Sequence, residues 1–88
     1  MLILGMGPIG LLTLQAVLQY GAREIIAVDM NEERLAIARK LGAAHLICPS
    51  QTDTLEEVKR LTGGAGVDTA IDAVGAGLTR RQCLLACA

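Results

Sequence analysis

Met1-Leu2-Ile3-Leu4-Gly5-Met6-Gly7-Pro8-Ile9-Gly10 is the stretch on which the reading of the chain turns. Four apolar residues fit a buried strand. Glycines then break the chain, and a mostly apolar segment follows to Tyr20. The spacing Gly-x-Gly-x-x-Gly is weak evidence alone, because glycines recur by chance. Here it separates a strand from a helix, and an acidic residue, Asp29, closes the next apolar run about 20 residues on. That combination describes the phosphate-binding turn of a dinucleotide-binding βαβ unit. Gly5 lets the chain turn sharply out of the strand. Gly7 lets backbone N–H groups approach a pyrophosphate, and Gly10 lets the first helix lie close to the sheet. Pro8 suits a first helical turn, where its missing N–H would have no partner anyway. With Ile9 these residues open a helix whose N-terminal partial charge favours anions.

The rest of the chain alternates strand and helix. The first helix runs to about Tyr20, ended by Gly21. Its few polar residues, Thr13, Gln15 and Gln19, predict a helix covered on two sides. Ile25 to Val28 reads as a second, buried strand. Asn31 caps a helix with Glu32 and Glu33 in its first turn, Arg39 and Lys40 in its last, and Gly42 at its end. Ala44 to Cys48 is a third strand stopped by Pro49. Thr54 with Glu57 fits a capping box for a helix to about Leu61. Val67 to Asp72 is a fourth strand, and a last helix begins near Thr79. Strict β-α alternation implies parallel strands with right-handed crossovers, hence an α/β doubly wound Rossmann-type sheet in the order 3-2-1-4. Complete folds of this kind continue with strands five and six, so residues 1–88 read as part of one cofactor-binding domain.

Composition narrows the function classes. The 88 residues carry a net charge of −1, which gives no reason to expect nucleic acid or an anionic membrane. One tyrosine and no Phe or Trp leave little for base stacking. The opening apolar run lacks a basic flank and is broken by glycines, unlike a signal peptide or a membrane span. Three cysteines without paired spacing fit reduced thiols in a cytoplasmic compartment. An apolar fraction of 52% is high for so short a chain, which suggests surfaces covered by further parts of a larger protein.

Asp29 selects among cofactors. A carboxylate at the tip of strand two accepts from both hydroxyls of an adenosine ribose, at about 1.5–3 kcal/mol per charge-assisted bond. A 2′-phosphate there would meet a like charge at a cost of about 4 kcal/mol per unit charge pair, before screening. The expectation is NAD rather than NADP. The plainer alternative is an aspartate that only caps the following helix.

Gly5 to Gly10, Ala27-Val28-Asp29, Arg34-Leu35-Ala36, Lys40-Leu41-Gly42-Ala43 and Gly66-Val67-Asp68 through Asp72-Ala73-Val74-Gly75 together resemble the cofactor domain of the medium-chain, zinc-dependent alcohol dehydrogenase family, with sorbitol and threonine dehydrogenases among the nearer types. The resemblance covers nearly all 88 residues. It implies that Gly5, Gly7 and Gly10 face the pyrophosphate and Asp29 the adenosine ribose. Arg34 matches a basic position near that ribose, Pro8 a frequent choice beside the nicotinamide, and Ala73, Val74 and Gly75 the cofactor-lining turn after strand four. It also implies that the zinc ligands sit in a catalytic domain outside this chain, where an alcohol or polyol gives its hydride to NAD, and that the parent protein is a homo-oligomer. No catalytic or metal-binding residue is assigned to the chain itself, which by this reading is inactive alone. Arg34 equally fits a solvated helix position, and Val74 a core position.

His45, the sole histidine, has no catalytic partner in sequence and reads as structural. Cys48, Cys83 and Cys87 read as small buried side chains. Arg80 and Arg81 read as a solvated face, and Asp72 as a neighbour of the cleft. Two other functions share the glycine turn: an S-adenosylmethionine methyltransferase, and a nucleotide-binding module without catalysis. Pro8 and the tight glycine spacing argue against the first; flanking sequence with or without zinc ligands separates the second.

Overall fold

The computed structural model describes residues 1–74 and 77–87, excepting the side chains of 77–80 and 83. The element order is β1 (Leu2–Leu4), α1 (Pro8–Gln19), β2 (Ile26–Val28), α2 (Glu32–Leu41), β3 (His45–Ile47), α3 (Thr54–Leu61), β4 (Ala70–Asp72) and α4 (Gly77–Ala86). The four strands form one sheet in the order β3-β2-β1-β4, and every pairing is parallel. The expected topology is therefore present.

Alternation along β1 builds a core on each face. Ile3 packs with Leu14 of α1 and Leu35 and Ala38 of α2. Leu2 and Leu4 point the other way, toward Val58 of α3 and Ala86 of α4. A central parallel strand must be apolar throughout because helices cover both sides. All three residues of β1 are accordingly buried.

Helix ends follow the local chemistry, with one shift. The Asn31 side chain accepts from the Arg34 N–H at 3.1 Å, and α2 has acidic residues in its first turn and basic ones in its last. At α3 the cap is Asp53, not Thr54: Asp53 Oδ1 accepts from the Glu56 N–H at 3.0 Å. Thr54 becomes the first helical residue, and its buried Oγ1 has no partner among the described residues. Either residue is a good cap; Val58, fully buried at the centre of its face, sets the register.

Three further expectations change. The segment from Val67 does not join the sheet before Ala70, because the Val67 N–H donates to Ala86 O at 2.9 Å in an isolated bridge with Cys87. Helix α4 starts at Gly77 rather than near Thr79. Helix α1 is covered on one side only: Leu14 is buried, while Ile9, Leu12 and Tyr20 are 69%, 65% and 93% exposed. Among the described residues no other element covers that face.

Candidate functional site

The C-terminal ends of β1, β2 and β4 meet at the Gly5–Gly10 elbow, where the strand order reverses between β1's two neighbours. Ligands of open α/β sheets bind at such switch points. Gly5 has φ +95°, a left-handed conformation that a residue without Cβ adopts freely. A Cβ there would also stand 2.7 Å from Val74 Cγ2. A Cβ on Gly10 would lie 1.8 Å from Gly5 O, so the first turn of α1 rests directly on the elbow backbone. Gly10 therefore serves contact with the elbow and, through Ala73, with the turn after β4, rather than with the sheet at large. Gly7 differs from both: a Cβ would meet only Arg34 Nη1, at 3.9 Å, so its lack of side chain serves no internal packing need.

The N-terminus of α1 is unlike those of α2 and α3. Gly7 provides no side-chain cap, and the first turn holds no acidic residue. The first N–H groups of a helix have no intrahelical acceptor, so this end presents uncompensated positive partial charge.

Asp29 follows β2 and closes one side of the elbow. The β1–β2 ladder runs one step beyond the strands, with the Gly5 N–H donating to Val28 O at 2.7 Å. Next, the Met6 N–H donates to Asp29 Oδ2 at 2.7 Å, and the Asn31 N–H to Oδ1 at 2.8 Å. The carboxylate is 9% exposed, and the half-exposed Arg34 holds Nη1 3.8 Å from Oδ2. On the other side, Asp72 Oδ1 accepts from the Val74 N–H at 2.9 Å, and the Ala73 N–H donates to Leu4 O at 2.9 Å. Both flanking turns are thus tied down by the strand tips.

A crevice of about 280 Å³ opens between them, with walls from Gly5, Asp29, Met30, Arg34, Pro49, Val74 and Gln82. Its lining is mainly apolar, with a carboxylate, a guanidinium and an amide as polar groups, the usual make-up of a small-molecule site. A larger hollow of about 590 Å³ lies alongside, past Met30, and is shallow, polar and edged by Glu32 and Glu33. Its acidic edge disfavours a phosphate.

Of the residues singled out in the sequence, Gly5, Asp29, Arg34 and Val74 line the crevice. Gly7, Gly10 and Ala73 form its supporting backbone. Pro8 and Ile9 are exposed on the first turn of α1, outside the crevice lining. Gly75 lies outside the described residues, as do the side chains of Arg80 and Cys83. Met30, Pro49 and Gln82 were not recognisable, because they come from three separate parts of the chain and carry no motif. His45 opens β3 at the opposite end of the sheet and pairs with Glu24 at 3.0 Å, as a structural residue would. Cys48 is buried as expected, but Cys87 is exposed, just past the end of α4. Arg81 is exposed.

Among the described residues no group of three or more His, Cys, Asp or Glu could hold a metal ion, and no helix is long and apolar enough to cross a membrane.

Residues 8–88 match the family model described as zinc-binding dehydrogenase. The chain is 44% identical over 73 residues to a sorbitol dehydrogenase of Bacillus subtilis, covering 83% of the chain and 21% of that protein. It is 46% identical over 78 residues to an alcohol dehydrogenase of Cupriavidus necator, covering 89% of the chain and 21% of that protein. In fold it superposes with a TM-score of 0.94 on an Escherichia coli oxidoreductase/dehydrogenase of unknown specificity, at 40% identity over 98% of this chain and 25% of that one. The chain thus spans about a fifth to a quarter of the relatives it matches.

Proposed function

The chain belongs to the zinc-binding dehydrogenase family, and from that premise we propose that it holds the pyrophosphate and adenosine ribose of NAD within an alcohol or polyol oxidoreductase. The observation that carries this reading is the juxtaposition at the elbow. A helix N-terminus with no side-chain cap and no acidic residue in its own first turn stands near a fixed carboxylate, at the mouth of an apolar crevice. The first suits two phosphoryl groups, the second a ribose diol, and the third an adenine.

In this reading Gly5, Gly7, Pro8, Ile9 and Gly10 form the pyrophosphate turn. Asp29 accepts from the ribose hydroxyls, and Arg34 flanks that sugar. Met30, Pro49 and Val74 enclose the adenine, Ala73 belongs to the cofactor-lining turn after β4, and Gly75 is assigned to the same lining from its family position alone. Bound NAD would supply the hydride acceptor; the residues of this chain bind and orient it. Discrimination against a 2′-phosphate comes from Asp29, reinforced by Glu32 and Glu33 on the first turn of α2. Among the described residues no set fits zinc, and no step is assigned to a metal in this chain. By this proposal the catalytic zinc, the substrate pocket and the subunit contacts of a homo-oligomer belong to other parts of the parent protein, and the compartment is cytoplasmic.

Titration of the chain with NAD, NADP, AMP and S-adenosylmethionine tests the proposal by calorimetry. The expected order places NAD and AMP above NADP, with no response to S-adenosylmethionine. Preference for NADP would remove the role given to Asp29. Preference for S-adenosylmethionine would remove the cofactor assignment altogether.

A further inference from the structure

Resting on the reading that the elbow holds a pyrophosphate, we infer that Asp29 is a positioning residue for phosphate binding: its carboxylate fixes the shape of the elbow, independently of any contact with the sugar. The key bond is the Met6 N–H to Asp29 Oδ2, 2.7 Å long and spanning 23 residues. It continues the β1–β2 ladder at the point where the two backbones part. Leu4 pairs with Val28, the Gly5 N–H reaches Val28 O, and the next N–H is taken by the Asp29 side chain.

Geometry leaves this carboxylate little freedom. Oδ1 is engaged by the Asn31 N–H at 2.8 Å, and the side chain is 9% exposed. Met6 is held from the other direction as well, because its side chain is fully buried in the core. Residue 6, the hinge between Gly5 and Gly7, is therefore fastened by both its side chain and its N–H. A carboxylate has about four acceptor positions; two are used in this way, which leaves room for a ribose diol. One residue can thus shape the phosphate cradle and bind the sugar together.

The two possible roles predict opposite signs for a ligand that has no ribose. If Asp29 only binds the sugar, removing its negative charge strengthens the binding of inorganic pyrophosphate by relieving repulsion. If it shapes the cradle, removal weakens that binding, because the competent elbow is then only a fraction of the ensemble. A competent fraction near one tenth gives about a tenfold loss.

The experiment is an NMR titration of the 88-residue chain and its Asp29→Ala and Asp29→Asn variants with inorganic pyrophosphate and, separately, NAD. Hydrogen exchange of the Met6 amide is followed in the unliganded proteins. The expected result is pyrophosphate binding about tenfold weaker in Asp29→Ala and intermediate in Asp29→Asn, which keeps one acceptor oxygen. Met6 exchange should be at least tenfold faster in the alanine variant. If Asp29→Ala does not fold, Asp29→Asn and the wild-type protection of Met6 still decide. Equal or tighter pyrophosphate binding in a folded variant overturns the inference, as does a Met6 amide in the wild type that exchanges as fast as exposed turn amides. NAD binding with no pyrophosphate response at the elbow also overturns it. Failure of the wild type to bind NAD removes the cofactor reading itself, a distinguishable outcome.

Discussion

Alanine at Gly7 and alanine at Gly10 should fail in different ways, although both residues belong to one motif. At Gly7 the backbone has φ −68° and ψ −170°, which alanine adopts without strain, and the nearest atom to an added Cβ is 3.9 Å away. Gly7→Ala should therefore fold with stability within about 0.5 kcal/mol of wild type. Its methyl group, however, stands where the proposed function brings the two phosphoryl groups in. We expect NAD affinity to fall at least tenfold, about 1.4 kcal/mol. At Gly10 an added Cβ lies 1.8 Å from Gly5 O and 2.7 Å from Gly5 C, both backbone atoms that no rotamer change can move. Contacts below 3.0 Å are essentially never seen, so α1 and the elbow must separate by over an ångström. Overpacking of well-packed sites costs typically about 1–3 kcal/mol, occasionally more, and a backbone clash belongs at the upper end. Gly10→Ala should lose about 3 kcal/mol, a large share of the stability of a small domain. Urea denaturation followed by circular dichroism, with calorimetric NAD titration of each folded variant, separates the two. Wild-type NAD binding by Gly7→Ala, or wild-type stability of Gly10→Ala, would refute these assignments.

Asp29→Ala should weaken NAD and narrow the preference for NAD over NADP; an unchanged ratio in parallel titrations would contradict the role given to its charge. Asp53→Ala should cost about 1 kcal/mol through loss of the α3 cap, whereas Thr54→Val should be neutral or stabilising because it removes an unpaired buried hydroxyl. Urea midpoints check the pair, and the reverse order would return the cap to Thr54. Half-buried Glu57 is held below its usual carboxyl value by the Arg60 side-chain hydrogen bond. A carboxyl with a lowered folded-state value contributes stability at neutral pH, and this is lost as pH falls from 4.5 through the lowered value. Glu57→Gln should flatten that acid limb slightly in pH-dependent melting, an effect kept small by solvent screening.

What the sequence disclosed and what it hid follow one division. Topology was legible because each strand is a short apolar run bounded by glycine, aspartate or proline, and because Asn31, Gly21 and Gly42 mark helix ends by local chemistry. The start of β4 was not, since Val67-Asp68-Thr69 alternates like a strand while its first N–H is diverted to Ala86, a contact no local pattern encodes. The α3 cap was displaced by one residue because Asp53 and Thr54 are both competent and only the burial of Val58 decides between them. Gly5 and Asp29 were visible through spacing. The bond joining Met6 to Asp29, and the crevice walls at Met30, Pro49 and Gln82, arise from long-range closure of several turns and leave no signature in sequence. Cys87 was misjudged as buried because helical spacing from Cys83 does not reveal that α4 ends at Ala86.

The place where the proposed adenosine diphosphate half of NAD binds is the most direct test. Titration of the isotope-labelled chain with ADP-ribose, read amide by amide, should give saturable shifts concentrated at Gly7, Ile9, Gly10, Asp29, Met30 and Val74, with little change at His45 or Thr62 on the opposite end of the sheet. Saturable shifts centred on Glu32, Gln51 and the larger polar hollow instead, with the elbow amides unmoved, would contradict it.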